Sequence, residues 1–244
     1  ALLVTALLML YFLCFRSPEL GLRHRREKLF FTGDCLRRAF RIGLPMGCER
    51  IIMCGAQIMS TVIVAPLGIY AIAANAFAIT AESLCYMPGY GIADAATTLV
   101  GQSLGAKRHD LARSFARITV VMGMAVMTVM GAIMYLAAPL MIGVMTPVPE
   151  VVSLGVSILR IEAFAEPMFA AAIVAYGVFI GAGDTLVPAT MNFVSIWAVR
   201  LTLAALLAPS MGLHGVWIAM CIELCFRGMI FLARMKWGRW IKRL

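Results

Sequence analysis

Charged side chains are scarce in this sequence of 244 residues. Only 14% of the residues are charged and 62% are hydrophobic, whereas an average soluble domain has about 25% charged residues. Water cannot solvate so much apolar surface, but lipid can, so the composition predicts a membrane protein. The chain also lacks the repeating alternation of about ten residues that is typical of outer-membrane strands. We therefore expect an all-α, polytopic membrane protein.

The sequence also lacks the motifs by which many enzymes are recognised. It has no GxxxxGK[ST] phosphate loop, no GxGxxG fingerprint and no CxxC pair. The three histidines, His24, His109 and His214, are dispersed and fall between the predicted spans. We therefore expect no enzyme activity, no metal site and no cofactor. Any energy source must be an ion gradient or lie in another chain.

Long apolar runs predict six complete membrane-spanning helices and the end of another. A span needs about 20 mainly apolar residues. The six runs are residues 42–64, 70–99, 118–144, 151–180, 187–207 and 216–232. The predicted organisation is the end of a preceding helix (1–15), a basic inter-bundle loop (16–41), a six-helix bundle (42–233) and a basic tail (234–244). Since the sequence begins inside an apolar run, we expect a partial chain.

The predicted loops differ in how many Lys and Arg residues they contain. Lys and Arg are dense in residues 16–41, in residues 107–117 and in the tail, and they are absent from the loops at 65–69, 142–150 and 208–215. Short cytoplasmic loops carry an excess of Lys and Arg. This pattern predicts a multi-pass inner-membrane protein with a cytoplasmic carboxy terminus. The net charge of +9 is thus a topology signal, and we expect membrane lipid rather than nucleic acid as a partner.

Carboxyl groups inside the spans are the candidate functional residues, because ionisable groups are expensive at membrane depth. Glu162 and Glu166 share a helix face, and two ionised carboxylates so placed repel each other, which favours the binding of a proton. Pro167 follows them and frees a backbone carbonyl that can ligate an ion. The candidates for binding a coupling cation or proton are Glu49, Glu82, Glu162 and Glu166.

Three of these four candidates have a structural alternative. Glu49 can instead form an ion pair with Arg50 or Arg41 near the cytoplasmic face. Arg160 and the outer interface can instead neutralise the pair at 162 and 166.

Three further intramembrane charges are predicted to be structural. Glu223 and Arg227 stand four residues apart, so they are expected to pair on one helix. Arg200 lies in the middle of a span and must find a partner or extend to the interface.

Several strings, in the same order, resemble the multidrug and toxic-compound extrusion (MATE) exporters. Residues 91–108, GIADAATTLVGQSLGAKR, resemble the family's A-x-T-x-L-V-G-Q-x-L-G-A signature. Residues 181–185, GAGDT, with Pro188 and Asn192 after them, resemble another family motif. Further similar strings are Trp197 with Arg200, residues 212–217 (GLHGVW), residues 65–68 (APLG) and residues 73–75 (AAN).

This resemblance implies a fold and a function. MATE exporters have two bundles of six helices, so the chain resembles the carboxy-terminal half of a twelve-helix transporter. The implied activity is export of organic cations in exchange for Na⁺ or H⁺, with the missing amino-terminal half as a partner. The alternatives are a lipid-linked oligosaccharide flippase of the related superfamily, which would need a cavity lined by Arg and Lys, and a membrane-embedded enzyme.

One feature departs from the family pattern. Some members place coupling carboxylates at positions that fall here near Met53 and at Phe169, and neither is acidic. Glu49 and Glu166 lie one turn away and can replace them only if they face the same cavity.

Overall fold

Helices make up nearly all of the computed structural model, which describes residues 2–12, 15, 33–237 and 240–241. The α-helices are α1 (Leu2–Tyr11), α2 (Gly33–Val64), α3 (Ile69–Gly105), α4 (His109–Met145), α5 (Pro149–Glu162), α6 (Glu166–Gly181), α7 (Leu186–Val194) and α8 (Leu201–Trp237). A 3-10 turn at Ala65–Leu67 follows α2, and a π-helical segment at Ser195–Arg200 joins α7 to α8. No described residue lies in a β-strand, so the predicted all-α class is confirmed.

The chain forms two compact units, residues 1–41 and 42–244. Helix α2 begins at Gly33, so the prediction that residues 33–41 belong to a loop is wrong. Leu, Arg and Ala in this segment are good helix formers, and the charges do not interrupt the helix. Helix α8 likewise runs to Trp237, so residues 234–237 are helical rather than tail. Residues 16–32 of the predicted loop, and 238–239 and 242–244 of the tail, lie outside the described residues.

Four helical stretches are long and apolar enough to cross a membrane: Gly47–Leu67, α3, α4 and Leu186–Trp237. Helices α5 and α6 together make a fifth, with a bend of 59° between them. The stretch from Leu186 has 52 residues, which is roughly 78 Å of helix at 1.5 Å per residue. A hydrocarbon core is only about 30 Å thick, so this stretch is too long for one crossing.

The long stretch folds back on itself at Gly212, whose φ of 59° and ψ of −140° are not helical. Three contacts join its two arms at increasing distance from that turn: Leu207 with Gly215, Arg200 with Met220, and Ser195 with Glu223. This order is that of an antiparallel helical hairpin, which supplies two crossings. When the bent pair and both arms of this hairpin are counted, the described residues of the second unit contain six helical segments at the positions of the six predicted apolar runs.

The fifth span is a broken helix, not the continuous one predicted for residues 151–180. Helix α5 ends at Glu162 and α6 begins at Glu166. Pro167 has no N–H with which to bind the Ala163 carbonyl, so the helical hydrogen-bond ladder is interrupted there. Pro88 also lies inside a span, but α3 is continuous through it, and α4, α5 and α6 all pack along α3.

Helix α6 lies at the centre of the bundle and packs against α3, α4 and α8. Glycine allows the closest of these approaches. A Cβ atom on Gly177 would lie 2.5 Å from the Ala93 carbonyl oxygen of α3, and Thr97 Oγ1 donates a 2.9 Å hydrogen bond to the Gly177 carbonyl. The functional side chains of α6 are therefore held close to those of α3 and α8.

Candidate functional site

A cavity of about 230 Å³ is lined by side chains from α2, α3, α6, α7 and α8, and we call it the Glu49 cavity. Its lining combines one carboxylate, two guanidinium groups, three aromatic rings and a thioether. The lining residues are Glu49, Arg50, Met53, Tyr90, Phe169, Ala172, Ile173, Tyr176, Asn192 and Arg227. A site of this composition can hold an amphipathic molecule that carries charge.

Glu49 is half-buried and hydrogen-bonded on both carboxylate oxygens. Asn192 Nδ2 donates to Oε1 at 2.7 Å, and the Tyr176 hydroxyl donates to Oε2. Such charge-assisted bonds fix the orientation of a carboxylate. Glu49 forms no ion pair with Arg50 within the described part of the chain. The side chain of Arg41 lies outside the described residues.

The family resemblance leads us to expect carboxylates at the positions of Met53 and Phe169. Both residues line the Glu49 cavity together with Glu49 itself. Glu49 therefore faces the required cavity from one turn away. Glu166 does not line that cavity. It is buried on the α4 side of the break, where a Cβ atom added to Gly131 would lie 3.1 Å from the Glu166 Cβ.

Arg227 brings positive charge to the cavity wall, but this charge is largely compensated. Its Nε lies 3.2 Å from Glu223 Oε1, close enough for an ion pair. The angle between these groups does not meet the geometry of a hydrogen bond. Ser195 Oγ donates to the same oxygen at 2.6 Å, and the guanidinium stands 5.5 Å from the centre of the Phe169 ring. The expected ion pair between Glu223 and Arg227 is present, and it also shapes the cavity, which the sequence did not indicate.

Glu162 and Glu166 flank the break between α5 and α6, and both are fully buried. None of their four carboxyl oxygens has a hydrogen-bond partner. Arg160 does not neutralise them, because its guanidinium lies 5.2 Å from the centre of the Tyr135 ring and its Nε points to the Tyr135 carbonyl. The alternative that Arg160 satisfies these carboxyl groups is wrong.

Glu82 of α3 is also buried, and it interacts electrostatically with Arg200 and Arg227. Glu162 interacts with the charges of Glu82 and Glu166. We call Glu82, Glu162 and Glu166 the acidic cluster. Three of the four predicted carboxyl groups are therefore buried in the interior of the bundle and influence one another electrostatically, whereas Glu49 lines its own cavity.

Arg200 ends the π-helical segment, and its Nη2 reaches the sulfur of Met220 on the facing arm of α8. It also interacts electrostatically with Glu82 and Glu162. The predicted structural residue is therefore the cation that lies beside the acidic cluster. Within the described ranges, no group of three or more His, Cys, Asp or Glu is placed to bind a metal ion.

Sequence reasoning did not single out Tyr90 and Tyr176, which supply the hydroxyl groups of the Glu49 cavity, and it named Asn192 only as part of a family motif and not as a site residue. A signal was available for Asn192, since it is a polar residue in the apolar run 187–207. Tyr176 gave no comparable signal, because an aromatic residue in a span is ordinary.

Comparison with known proteins gives a consistent picture. Residues 45–206 match the family model MatE. The chain is 29% identical over 211 residues to a probable multidrug resistance protein NorM of Thermotoga maritima, with 85% of this chain and 45% of the relative covered. It is 30% identical over 243 residues to a protein of the same name from Brucella suis biovar 1, with 94% and 50% covered.

The fold is likewise similar to solved structures. A crystal structure of MATE in complex with MaL6 superposes with a TM-score of 0.84 at 19% identity, covering 97% of this chain and 53% of that chain. At this identity the likeness concerns the fold alone. The chain spans about half the length of the curated relatives it matches.

Proposed function

We propose that this chain, which belongs to the MATE family of transporters, is the carboxy-terminal half of a secondary antiporter. The transporter would export organic cations in exchange for Na⁺ or H⁺. An amino-terminal bundle of six helices would complete it. The observation that carries the proposal is the Glu49 cavity, which holds a fixed carboxylate against aromatic and thioether walls.

The cavity chemistry suits an amphipathic organic cation. The Glu49 carboxylate offers the opposite charge, while the rings of Tyr90 and Phe169 offer cation–π and stacking surfaces. Met53 is flexible and polarisable, so it can repack around substrates of different shape. We expect binding to depend on the charge of Glu49 more than on any single apolar contact.

The coupling ion is proposed to bind at carboxyl groups of this bundle. Glu49 is one candidate, and the acidic cluster provides Glu82, Glu162 and Glu166. Support comes from the burial of the cluster and from the four unpartnered oxygens of Glu162 and Glu166, because unpaired carboxyl groups at membrane depth mark ion and proton pathways.

Exchange then follows from coupled binding. An outward-open cavity takes up the coupling ion at a carboxylate, and this releases the organic cation. Bending at the break between α5 and α6 resets access, as broken helices do in other secondary transporters. The placement of Lys and Arg supports an inner-membrane location with a cytoplasmic carboxy terminus.

The flippase alternative has less support. It needs a cavity rich in free cations. The Glu49 cavity has two guanidinium groups, and one of them, that of Arg227, is paired with Glu223. Turnover of a phospholipid-linked sugar would be its assay.

The proposal is tested by efflux of a fluorescent organic cation from cells that lack their own exporters and express the full-length gene product. Glu49→Gln keeps the shape of the side chain but removes its charge. A hydrogen bond to a charged group is worth about 1.5–3 kcal/mol, so we expect efflux at limiting dye to fall roughly tenfold or more. Glu150→Gln is the matched control, since Glu150 is exposed in the first turn of α5. Equal efflux by both variants would contradict the proposal.

A further inference from the structure

A second, larger cavity of about 600 Å³ lies between the start of α4 and the end of α8. Helices α4 and α8 each pack against α6, and the cavity is the gap that remains between their ends. Three cations and three apolar side chains form most of its lining. We call it the basic cleft, and its residues are Arg113, Arg117, Leu232, Met235, Lys236 and Trp240.

The cations of the basic cleft lack acidic partners. Arg113 and Arg117 are exposed and stand one turn apart on α4, and Lys236 is exposed near the end of α8. None of the three belongs to an ion pair within the ranges that the structure describes. The Lys236 ammonium lies 5.0 Å from the centre of the neighbouring Trp237 ring.

Two acidic residues, Asp110 and Asp184, already have arginine partners that lie close in sequence to the cleft residues. Asp110 pairs with Arg108 at 3.3 Å, and Asp184 pairs with Arg234. The sequence after Lys236 contains no Asp or Glu. Within the described ranges, three positive charges therefore converge on one cleft and none of them pairs with a carboxylate, so the cleft favours an anionic ligand.

The other wall of the cleft is apolar. Trp240 is buried, its Nε1 donates a 3.0 Å hydrogen bond to the Met235 carbonyl, and its ring packs edge-on against Phe179 at 6.1 Å. Leu232 and Met235 extend this surface along α8. A ligand that fits the cleft should combine an anionic group with an apolar chain.

We propose that the basic cleft binds an anionic glycerophospholipid, with the headgroup phosphate on Arg113, Arg117 and Lys236 and an acyl chain along the apolar wall. Guanidinium groups match phosphate oxygens in geometry as well as charge. Basic pockets between membrane helices at their cytoplasmic ends suit anionic headgroups, and tryptophan prefers the membrane interface. Lipid binding at this site does not require transport activity, so the result of its test is independent of the proposed function.

The test compares lipid retention by the purified full-length gene product in detergent, measured by native mass spectrometry. Dioleoyl phosphatidylglycerol is the anionic probe, and dioleoyl phosphatidylcholine has the same chains without net charge. The cleft variants are Arg117→Gln and Lys236→Gln. The matched control is Lys107→Gln, which removes one exposed positive charge outside the cleft lining.

We expect the wild type to retain phosphatidylglycerol over phosphatidylcholine. Each cleft variant should lose about fivefold in affinity for phosphatidylglycerol, the ratio that corresponds to the ~1 kcal/mol of a basic residue near an anionic surface. The control should bind like the wild type, and retention of phosphatidylcholine should be the same in all four proteins, which also shows that the variants are folded.

Three results would overturn the inference. The first is equal retention of the two lipids by the wild type. The second is a loss in the Lys107→Gln control as large as that in the cleft variants, which would indicate general surface charge. The third is thermal stabilisation by inorganic phosphate alone as great as by phosphatidylglycerol, which would indicate a site for the free anion rather than for lipid.

Discussion

At the scale of single residues, the buried carboxyl groups differ in what compensates their charge. Glu223 has Ser195 as a hydrogen-bond donor and Arg227 as an ion-pair partner. Glu162 and Glu166 are equally buried but have no hydrogen-bond partner. An unpaired charge in an apolar interior is costly, whereas a paired one becomes costly only when its partner is removed. The same substitution should therefore have different effects at these sites.

We predict that Glu223→Gln destabilises the protein, while Glu162→Gln and Glu166→Gln do not. Loss of the carboxylate at 223 leaves Arg227 as an unpaired buried cation, and breaking such a pair costs about 3–5 kcal/mol. A glutamine at 162 or 166 removes no hydrogen bond. Thermal unfolding in detergent measures the difference, and the three substitutions control for one another chemically. Destabilisation by Glu162→Gln as large as by Glu223→Gln would show that the carboxyl group at 162 has a partner.

The sequence predicted which charged residues to consider, but it did not predict the side chains that surround them. The rarity of intramembrane charge identified Glu49, Glu82, Glu162 and Glu166, and the four-residue spacing identified the pair of Glu223 with Arg227. The partners of Glu49, by contrast, are Tyr176 and Asn192, which lie on other helices far away in the chain. Such contacts depend on tertiary packing, so spacing along one helix could not predict them.

At the scale of helices, close packing depends on glycines that admit a neighbouring backbone. Gly228 of α8 is one such case, because a Cβ atom there would lie 2.5 Å from the Met168 carbonyl oxygen of α6. Without a hydrophobic force between helices in lipid, such contacts contribute much of the association. The α6–α8 contact also carries Phe169 and Arg227 to the Glu49 cavity.

We predict that Gly228→Ala lowers the free energy of unfolding by about 1–3 kcal/mol, the usual cost of overpacking. Gly143→Ala is the control, since Gly143 also lies within a helix but has no atom within 4 Å of an added Cβ. Thermal unfolding of the two variants gives the comparison. Equal stability would mean that α6 and α8 separate without penalty.

The broken span is the second feature at this scale. Apolar length predicted the number of crossings, but it could not place the break, because Pro88 and Pro167 look equivalent in sequence. Only Pro167 lies at an interruption, beside Glu162 and Glu166. The difference arises from packing around the two helices rather than from proline itself.

We predict that Pro167→Ala slows transport several-fold while leaving dye binding unchanged. Alanine restores an N–H that can bind the Ala163 carbonyl and so favours a straighter, stiffer helix. Pro139→Ala in the continuous helix α4 is the matched control. Binding and transport measured on the same preparations separate the two effects. Unchanged transport by Pro167→Ala would argue against bending at this break.

At the scale of the whole molecule, the chain is one bundle of a family whose curated members are about twice as long. Its six helical segments enclose both an accessible carboxylate at the Glu49 cavity and a buried acidic cluster. Under the proposed function, these two separate sets of carboxyl groups would bind an organic cation and a coupling ion in the same bundle. The account therefore requires that transport through the complete protein respond to an ion gradient.

The most direct measurement is gradient-driven transport of a fluorescent organic cation in proteoliposomes that contain the full-length gene product. A Na⁺ or a H⁺ gradient is imposed in turn, and the wild type is compared with Glu166→Gln. We predict that one of the gradients drives transport by the wild type, and that Glu166→Gln still binds the dye but no longer responds to that gradient. Transport by the wild type at the same rate with and without either gradient would contradict the account.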